Sequence, residues 1–424
     1  MPDGEIKATP AVLLRIFIPF GLGYFLSYLF RTVNAVIAPD LAADLSLDAN
    51  DLGFLTSVYF LAFAAFQLPL GILLDRFGPR RTEAVLLVFA AAGAFLFSVS
   101  HSIAGLTAGR ALIGLGVSAC LMASFKAFAQ WFPKHRLPLA NGVIMTAGGL
   151  GALAATLPVE ASLQLMDWRA VFFVLGVATL TVSAIVMLSA PEKNLGRSGV
   201  TWRDELNGVR QIFSSGIFWR IAPVTLSSQA AFLSIQSLWA GPWLRDVAGL
   251  DRASVAAALL VIAGAMIAGY LAIGTLTERL ARHGVKPMSV VVAGMVFFMA
   301  TQSALIYAGV RGDLPAALIV SLWILFGFFG TVGIVPYAAL SQAFPIHLAG
   351  RVTTALNLLV FLAAFAGQSG IGMIINLWPL GDANTYAPDG YSAAFSIGLM
   401  LQVIGLAWYF VGRARYTAAS IHPD

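Results

Sequence analysis

The chain has 424 residues, of which 59% are hydrophobic and 11% charged, with 25 Lys and Arg against 20 Asp and Glu. Apolar runs of about 20 residues recur along it, the length that spans a bilayer, so it reads as an all-α, polytopic membrane protein. Those runs leave no soluble domain of useful size, which makes the net charge of +5 a loop bias rather than a nucleic-acid surface, and the lone Cys120 excludes a disulfide framework.

Cutting at charge and Pro/Gly clusters places apolar segments near 12–38, 52–74, 82–100, 104–132, 138–164 and 169–189, then 217–243, 254–278, 287–309, 314–343, 352–377 and 391–411. The first is too long for a signal-peptide core and no small-residue cleavage site follows it, so it is read as a retained helix. The longest polar stretch, 190–216, is read as a cytoplasmic linker. This predicts twelve transmembrane helices in two six-helix bundles, 1–189 and 217–424. With both termini cytoplasmic, 18 basic residues fall in cytoplasmic loops and adjoining helix ends, while Arg169, Arg245, Arg252 and Arg311 lie outside. That asymmetry orients the chain as a multi-pass protein of the cytoplasmic membrane. Arg31, Arg110 and Lys126 remain within the membrane.

The two sets of six are related by sequence. "GILLDRFGPRR" (71–81) after the second span recurs as "GTLTERLARHGVK" (274–286) after the eighth, with Gly71, Asp75 and Arg76 matched by Gly274, Glu278 and Arg279. "WFPKH" (131–135) is echoed by "AFPIH" (343–347). Duplicated bundles of this kind are a transporter architecture.

Twelve spans in two related halves, with G-x-x-x-D-R-x-G-x-R-R between the second and third, closely resemble the major facilitator superfamily over the whole chain. Gly71 allows close helix approach, and Asp75 with its basic neighbours suits charge-assisted hydrogen bonding at a helix end. The resemblance implies that Asp75, Arg76, Gly78, Arg80 and Arg81 latch the bundles on the cytoplasmic side, with Glu278 and Arg279 a weaker counterpart. The fourth segment carries "GRALIGLG" (109–116) and the fifth "GGLGALAATLP" (148–158), whose small residues permit tight packing in lipid. Arg110 lies about 160° around its helix from Lys126 and serves either packing or conformational coupling.

A charge at the bilayer centre costs roughly 2.5–3.5 kcal/mol on the insertion scale, so Arg31 needs an explanation. It stands eight residues before Pro39 on a polar stripe with Tyr24, Ser27, Tyr28 and Asn34. Lys126 lies five residues before Trp131, within reach of either the cavity or the inner interface. Of the acidic residues only Glu160 is read inside a span, near its outer end. The cation pair therefore lacks a protein counter-ion, and the substrate is the natural one.

The stretch "GYFLSYLFRTVNAVIAPDL" is similar to the organic-anion and phosphate-ester carriers of the superfamily, which implies that Arg31 binds an anion and that Lys126 adds field. Gln67 stands where phosphate-ester exchangers place a lysine, and Gln229 and Gln236 are the polar residues of a seventh helix without their arginine. The loss of two cations points to a carboxylate. Trp239, Tyr337, Asn357 and Gln368 complete the neutral candidates for substrate contact, with interhelical bonding as their alternative role. Lys126 and Glu160 are the candidates for proton coupling, with anion exchange as the alternative. The expectation is a monomeric secondary transporter of a small organic anion, with no metal, cofactor or enzymatic motif; the rivals are an exporter of amphipathic compounds and a transporter-like ligand sensor.

Overall fold

Proline accompanies several of the helix breaks. In a helix interior its ring displaces the carbonyl four residues back, and in lipid a released carbonyl must find a partner inside the protein. The computed structural model describes residues 10–132, 137–191, 202–312, 314–345, 348–381 and 385–415, and every regular element in them is helical. The first span is α1 (Pro10–Thr32) and α2 (Asn34–Leu45), bent by 46°. The second joins α3 (Ala49–Ala65) to the start of α4 (Gln67–Val99), which turns at Gly78 and continues as the third. Helices α5 (Ile103–Val117) with α6 (Cys120–Trp131), α7 (Leu137–Ala154) with α8 (Leu157–Leu163), and α9 (Trp168–Ser189) complete the first bundle.

Helix α10 (Trp202–Phe213) occupies much of the segment read as a plain linker, with Ile212 fully buried. The second bundle begins with α11 (Gly216–Ser234), a π-helical turn at Ile235–Trp239 and α12 (Ala240–Asp246). It continues through α13 (Arg252–Arg282), α14 (Pro287–Arg311), α15 (Ala316–Phe329) and a 3-10 turn at Gly330–Ile334. Then come α16 (Val335–Ala343), α17 (Ala349–Ile375) and α18 (Pro388–Arg415). Nine of the described helices are long and apolar enough to cross alone, and the bent first pair makes ten. The shorter pieces α3 and α11–α12 supply the other two crossings. Lys134, His135, Ile346 and His347 of the echoed loops, and residues 192–201 of the linker, lie outside the described residues.

Sequence periodicity suggests unbroken spans, and the breaks have local causes. Pro69 sits four residues after Ala65, where α3 ends; Pro158 four after Ala154, where α7 ends. Pro242 and Pro336 sit four after Leu238 and Val332, inside the π and 3-10 turns. Buried side chains meet backbone carbonyls near these sites. Gln229 Nε2 donates to the Gly330 carbonyl at 3.2 Å, and Arg110 Nη1 to the Phe30 carbonyl, beside the first-span bend, at 3.1 Å. Asp251 caps α13 by accepting the Ser254 N–H at 2.7 Å, which holds its carboxyl below the usual range.

The bundles meet along α3 and α17. Phe54 packs on Phe365, and Phe63 stacks on Phe361 with centroids 4.1 Å apart. Large apolar side chains such as Val88, Phe297 and Ile404 project from the outside of the bundles, the surface lipid would cover.

At Gly78, φ is +78° and ψ 167°, a conformation essentially restricted to glycine. Replacing it with alanine should lower stability by about 1–3 kcal/mol. Thermal unfolding in detergent checks this: Gly78→Ala should melt earlier than Gly142→Ala, a site where a Cβ meets nothing.

Candidate functional site

Arg31 is the penultimate residue of α1, just before the break at Val33, and is 6% exposed. Its guanidinium carbon lies 4.5 Å from the centroid of Tyr28, 5.1 Å from Phe361 and 5.7 Å from Phe63. Its Nε is buried without a hydrogen-bond partner. The titratable groups that act on it most strongly are Tyr59, Tyr28 and Tyr24, with no carboxylate among them. A guanidinium flanked by ring faces is well placed for cation–π attraction yet keeps its in-plane donors for an anion.

Arg31 forms part of the wall of a cavity of about 440 Å³ between the bundles. Tyr24, Tyr28, Gln67, Gln229, Tyr337 and Asn357 also line it, as expected from the sequence. They form a partly tied polar strip: Tyr337 donates to Asn357 Oδ1 at 3.2 Å, and Asn357 Nδ2 donates to Gln67 Oε1 at 3.3 Å. The cavity extends past Phe125, Asn141 and Thr353 toward the face of the α6–α7 and α16–α17 loops. Sequence reasoning missed Tyr270 of α13, Ser118 and Asn141, which line it too. Tyr270 was legible as the one hydroxyl-bearing ring in an otherwise apolar run.

Four expected contacts lie elsewhere. Asn34 is 1% exposed beyond the bend, and Gln236 is buried in the π turn. Trp239 Nε1 donates to the Gln368 carbonyl at 3.0 Å, while the Gln368 side chain donates to Thr56 Oγ1 and accepts from Ser237, each at 2.7 Å. Trp239 and Gln368 thus belong to a bond network that ties the seventh span to α17 and, through Thr56, α17 to the first bundle.

The expected cation pair is also revised. The Lys126 ammonium is ion-paired to Asp75 and is absent from the cavity lining. One turn of helix in the wrong direction separates the two possibilities, and a snorkelling lysine takes the carboxylate. This removes Asp75 from the arrangement expected with Arg76, Arg80 and Arg81. Arg76 lies over the Phe77 ring, and Arg80 Nη1 donates to the Ala190 carbonyl at 3.4 Å. Glu278 pairs with Arg282 one turn away, at 2.5 Å, rather than with Arg279. Arg110, fully buried, bonds Phe30 and lies 5.2 Å from the Tyr59 centroid, so it supports the bend.

Glu160 is not in the cavity. Its two oxygens accept from Arg252 Nε at 2.7 and 2.8 Å, and the other edge of the same guanidinium donates to Asp40 at 2.8 and 2.6 Å. Arg252 belongs to the second bundle and both acids to the first, so this triad shuts the face opposite the cavity mouth. Asn376 donating to Asp48 at 3.0 Å adds to the closure. The sequence reading also misses Glu83, the second residue of its 82–100 segment, which is 0% exposed.

Comparisons with known proteins agree with this architecture. The profile of the Major Facilitator Superfamily matches residues 20–368, and the chain belongs to that family. It is 27% identical over 176 residues to a probable sulfoacetate transporter of Cupriavidus necator, spanning 41% of each chain. It is 27% identical to the hexuronate transporter of Escherichia coli K12 over 37% of this chain and 36% of that one. Those two matches thus span about two-fifths of the relatives' length. A probable L-galactonate transporter of E. coli K12 is 26% identical over 76% of this chain and 75% of its own. Among solved structures, a bacterial homologue of the human lysosomal transporter Spinster, inward-facing and unoccupied, superposes with a TM-score of 0.78 at 16% identity. That match covers 98% of this chain and all of that one.

Two outcomes follow. Arg252→Gln removes both cross-bundle ion pairs, each of a class worth about 0.2–1 kcal/mol when exposed, so a cysteine placed near Asp40 should label several-fold faster. Lys126→Gln and Asp75→Asn should each lower thermal stability by about 0.2–1 kcal/mol, and the double variant should lower it no more than either alone.

Proposed function

We propose that this chain is a secondary transporter of a small organic anion bearing a carboxylate or sulfonate, working by alternating access across the cytoplasmic membrane with both termini inside. The observation that carries the reading is Arg31: buried in the wall of a midplane cavity, with a free donor and no acidic partner among the described residues. A permanent cation in that setting needs an anion, and a planar fork matches a carboxylate bidentately. Tyr28, Gln67, Gln229 and Asn357 would read hydroxyl groups of the neutral part. The relatives support an organic acid, since sulfoacetate, hexuronate and galactonate share an anionic head on a short polar body.

On this orientation the Arg252 triad closes the outer side and the cavity opens to the cytoplasm, the inward-facing state. The site then holds one cation rather than two, which suits a monoanion. Proton transfer on Lys126 loses its geometric basis, because the ammonium faces Asp75 rather than the substrate. Coupling is then either exchange of one anion for another or a proton carried elsewhere.

Binding of a hexuronate, galactonate, sulfoacetate, a phosphate ester and a cationic drug to purified protein, measured by thermal shift, tests the class. Arg31→Gln should raise the dissociation constant of the preferred acid about 10- to 100-fold, from roughly 1.5–3 kcal/mol of charged hydrogen bonding. Arg31→Lys should recover only part of it. Unaltered affinity in Arg31→Gln, or stabilisation by the drug alone, would sink the reading.

A further inference from the structure

Glu83 is unlike every other acid described. Asp40, Asp44, Asp75, Asp246 and Glu160 each touch a cation. Glu83 is fully enclosed, and both its carboxylate oxygens lack a hydrogen-bond partner. It projects from α4 into the seam between α1 and α6. A Cβ at Gly23 would collide with its Oε1 and lie 3.3 Å from its Cδ and 3.7 Å from the Cys120 sulfur. The absence of a side chain at Gly23 is what admits the carboxyl. Gly23 is next to Tyr24, which lines the cavity, and eight residues before Arg31 on the same helix. The acid is therefore packed against the flank of the helix that carries the anion-binding arginine.

Charged and titratable groups on the surrounding elements do not neutralise it. Arg110 of α5 is spent on the Phe30 carbonyl, Lys126 of α6 on Asp75, and Arg31 and Tyr24 of α1 face the cavity. Arg351 stands at the start of α17 near Gly208. Only the Cys120 thiol comes within reach, and a thiol is a weak donor. An ionised carboxylate so enclosed forfeits its hydration with nothing in return, whereas the neutral acid does not.

We propose that Glu83 is a proton-binding site of the transport cycle: it carries a proton taken up from the outer side into the inward-facing conformation seen here, and loses it to cytoplasmic water when α1 withdraws Gly23 from the carboxyl while the cavity is still open inward. The conformation that buries the acid is thereby favoured by protons, and the bound anion and the proton act on adjoining faces of one helix, about 80° apart. This gives a route to symport that needs no carboxylate inside the cavity. It deepens the anion-transport reading only in its uptake arm; the spectroscopic arm requires no substrate.

Infrared spectra of the lipid-reconstituted protein, without added anion, should show a buried carboxylic-acid carbonyl band that persists at neutral pH, is lost in Glu83→Gln and is displaced in Glu83→Asp. Proteoliposome uptake of a hexuronate should rise under an inward proton gradient in the wild type. In Glu83→Gln the ratio of uptake with and without the gradient should fall to unity, while hexuronate counterflow persists. A missing band in the wild type at neutral pH, or the same band and the same gradient stimulation in Glu83→Gln, overturns the proposal. Should Glu83→Gln fail to fold, the band in the wild type and its displacement in Glu83→Asp decide alone. A band that behaves as stated in a protein binding none of the organic acids leaves the proton site standing and removes the anion reading instead.

Discussion

A backbone carbonyl released inside a membrane has no water to turn to, and this requirement orders the interior of the protein. Proline-linked breaks interrupt the spans that surround the cavity, and each interruption lets the chain bend where a binding site needs room. The same interruptions need donors. Arg110 serves the carbonyl of Phe30 beside the bend of the first span, and Gln229 that of Gly330 in the tenth. What remains after these bonds are made is a short set of polar groups without structural employment, and Arg31 is the charged member that faces space.

That division explains what could be read from the sequence. The twelve crossings, their grouping in sixes and the outlying character of Arg31 follow from hydropathy, spacing and the scarcity of charge, which act locally. The partners of Lys126, Trp239 and Gln368 depend on which way a side chain leaves its helix and on which helix lies beside it. A glutamine that reads substrate and a glutamine that bonds an unwound backbone are the same letter. Helix α10 was hidden because its apolar residues are interspersed with charged ones over a stretch too short to span a bilayer, so a cut by hydropathy describes a linker. Glu83 was missed because it is the second residue of a segment whose boundary was drawn by Arg80 and Arg81, so it read as part of the charged edge.

The two faces are closed by different chemistry. The Asp40 face uses a guanidinium shared between two carboxylates, together with aromatic and amide contacts along α3 and α17. On the other face, the pairs of Lys126 with Asp75 and of Arg282 with Glu278 each lie within a single bundle. An ion pair that joins the bundles must be broken for that face to open, whereas one confined to a bundle can ride along with it. Conformational preference is then set by the sum of a few modest interactions rather than by one strong lock, which suits a protein that must populate both states.

Arg252 has 45% of its side chain exposed, and its partner Asp40 28%. Charges that meet at the water boundary are screened by dissolved ions over a Debye length of about 10 Å at 0.1 M. The tightness of that seal is thus tied to the medium it faces. Dilute surroundings hold the triad together more firmly than brine, so the ease with which the carrier turns over follows the ionic environment of the cell even when substrate and gradients stay the same.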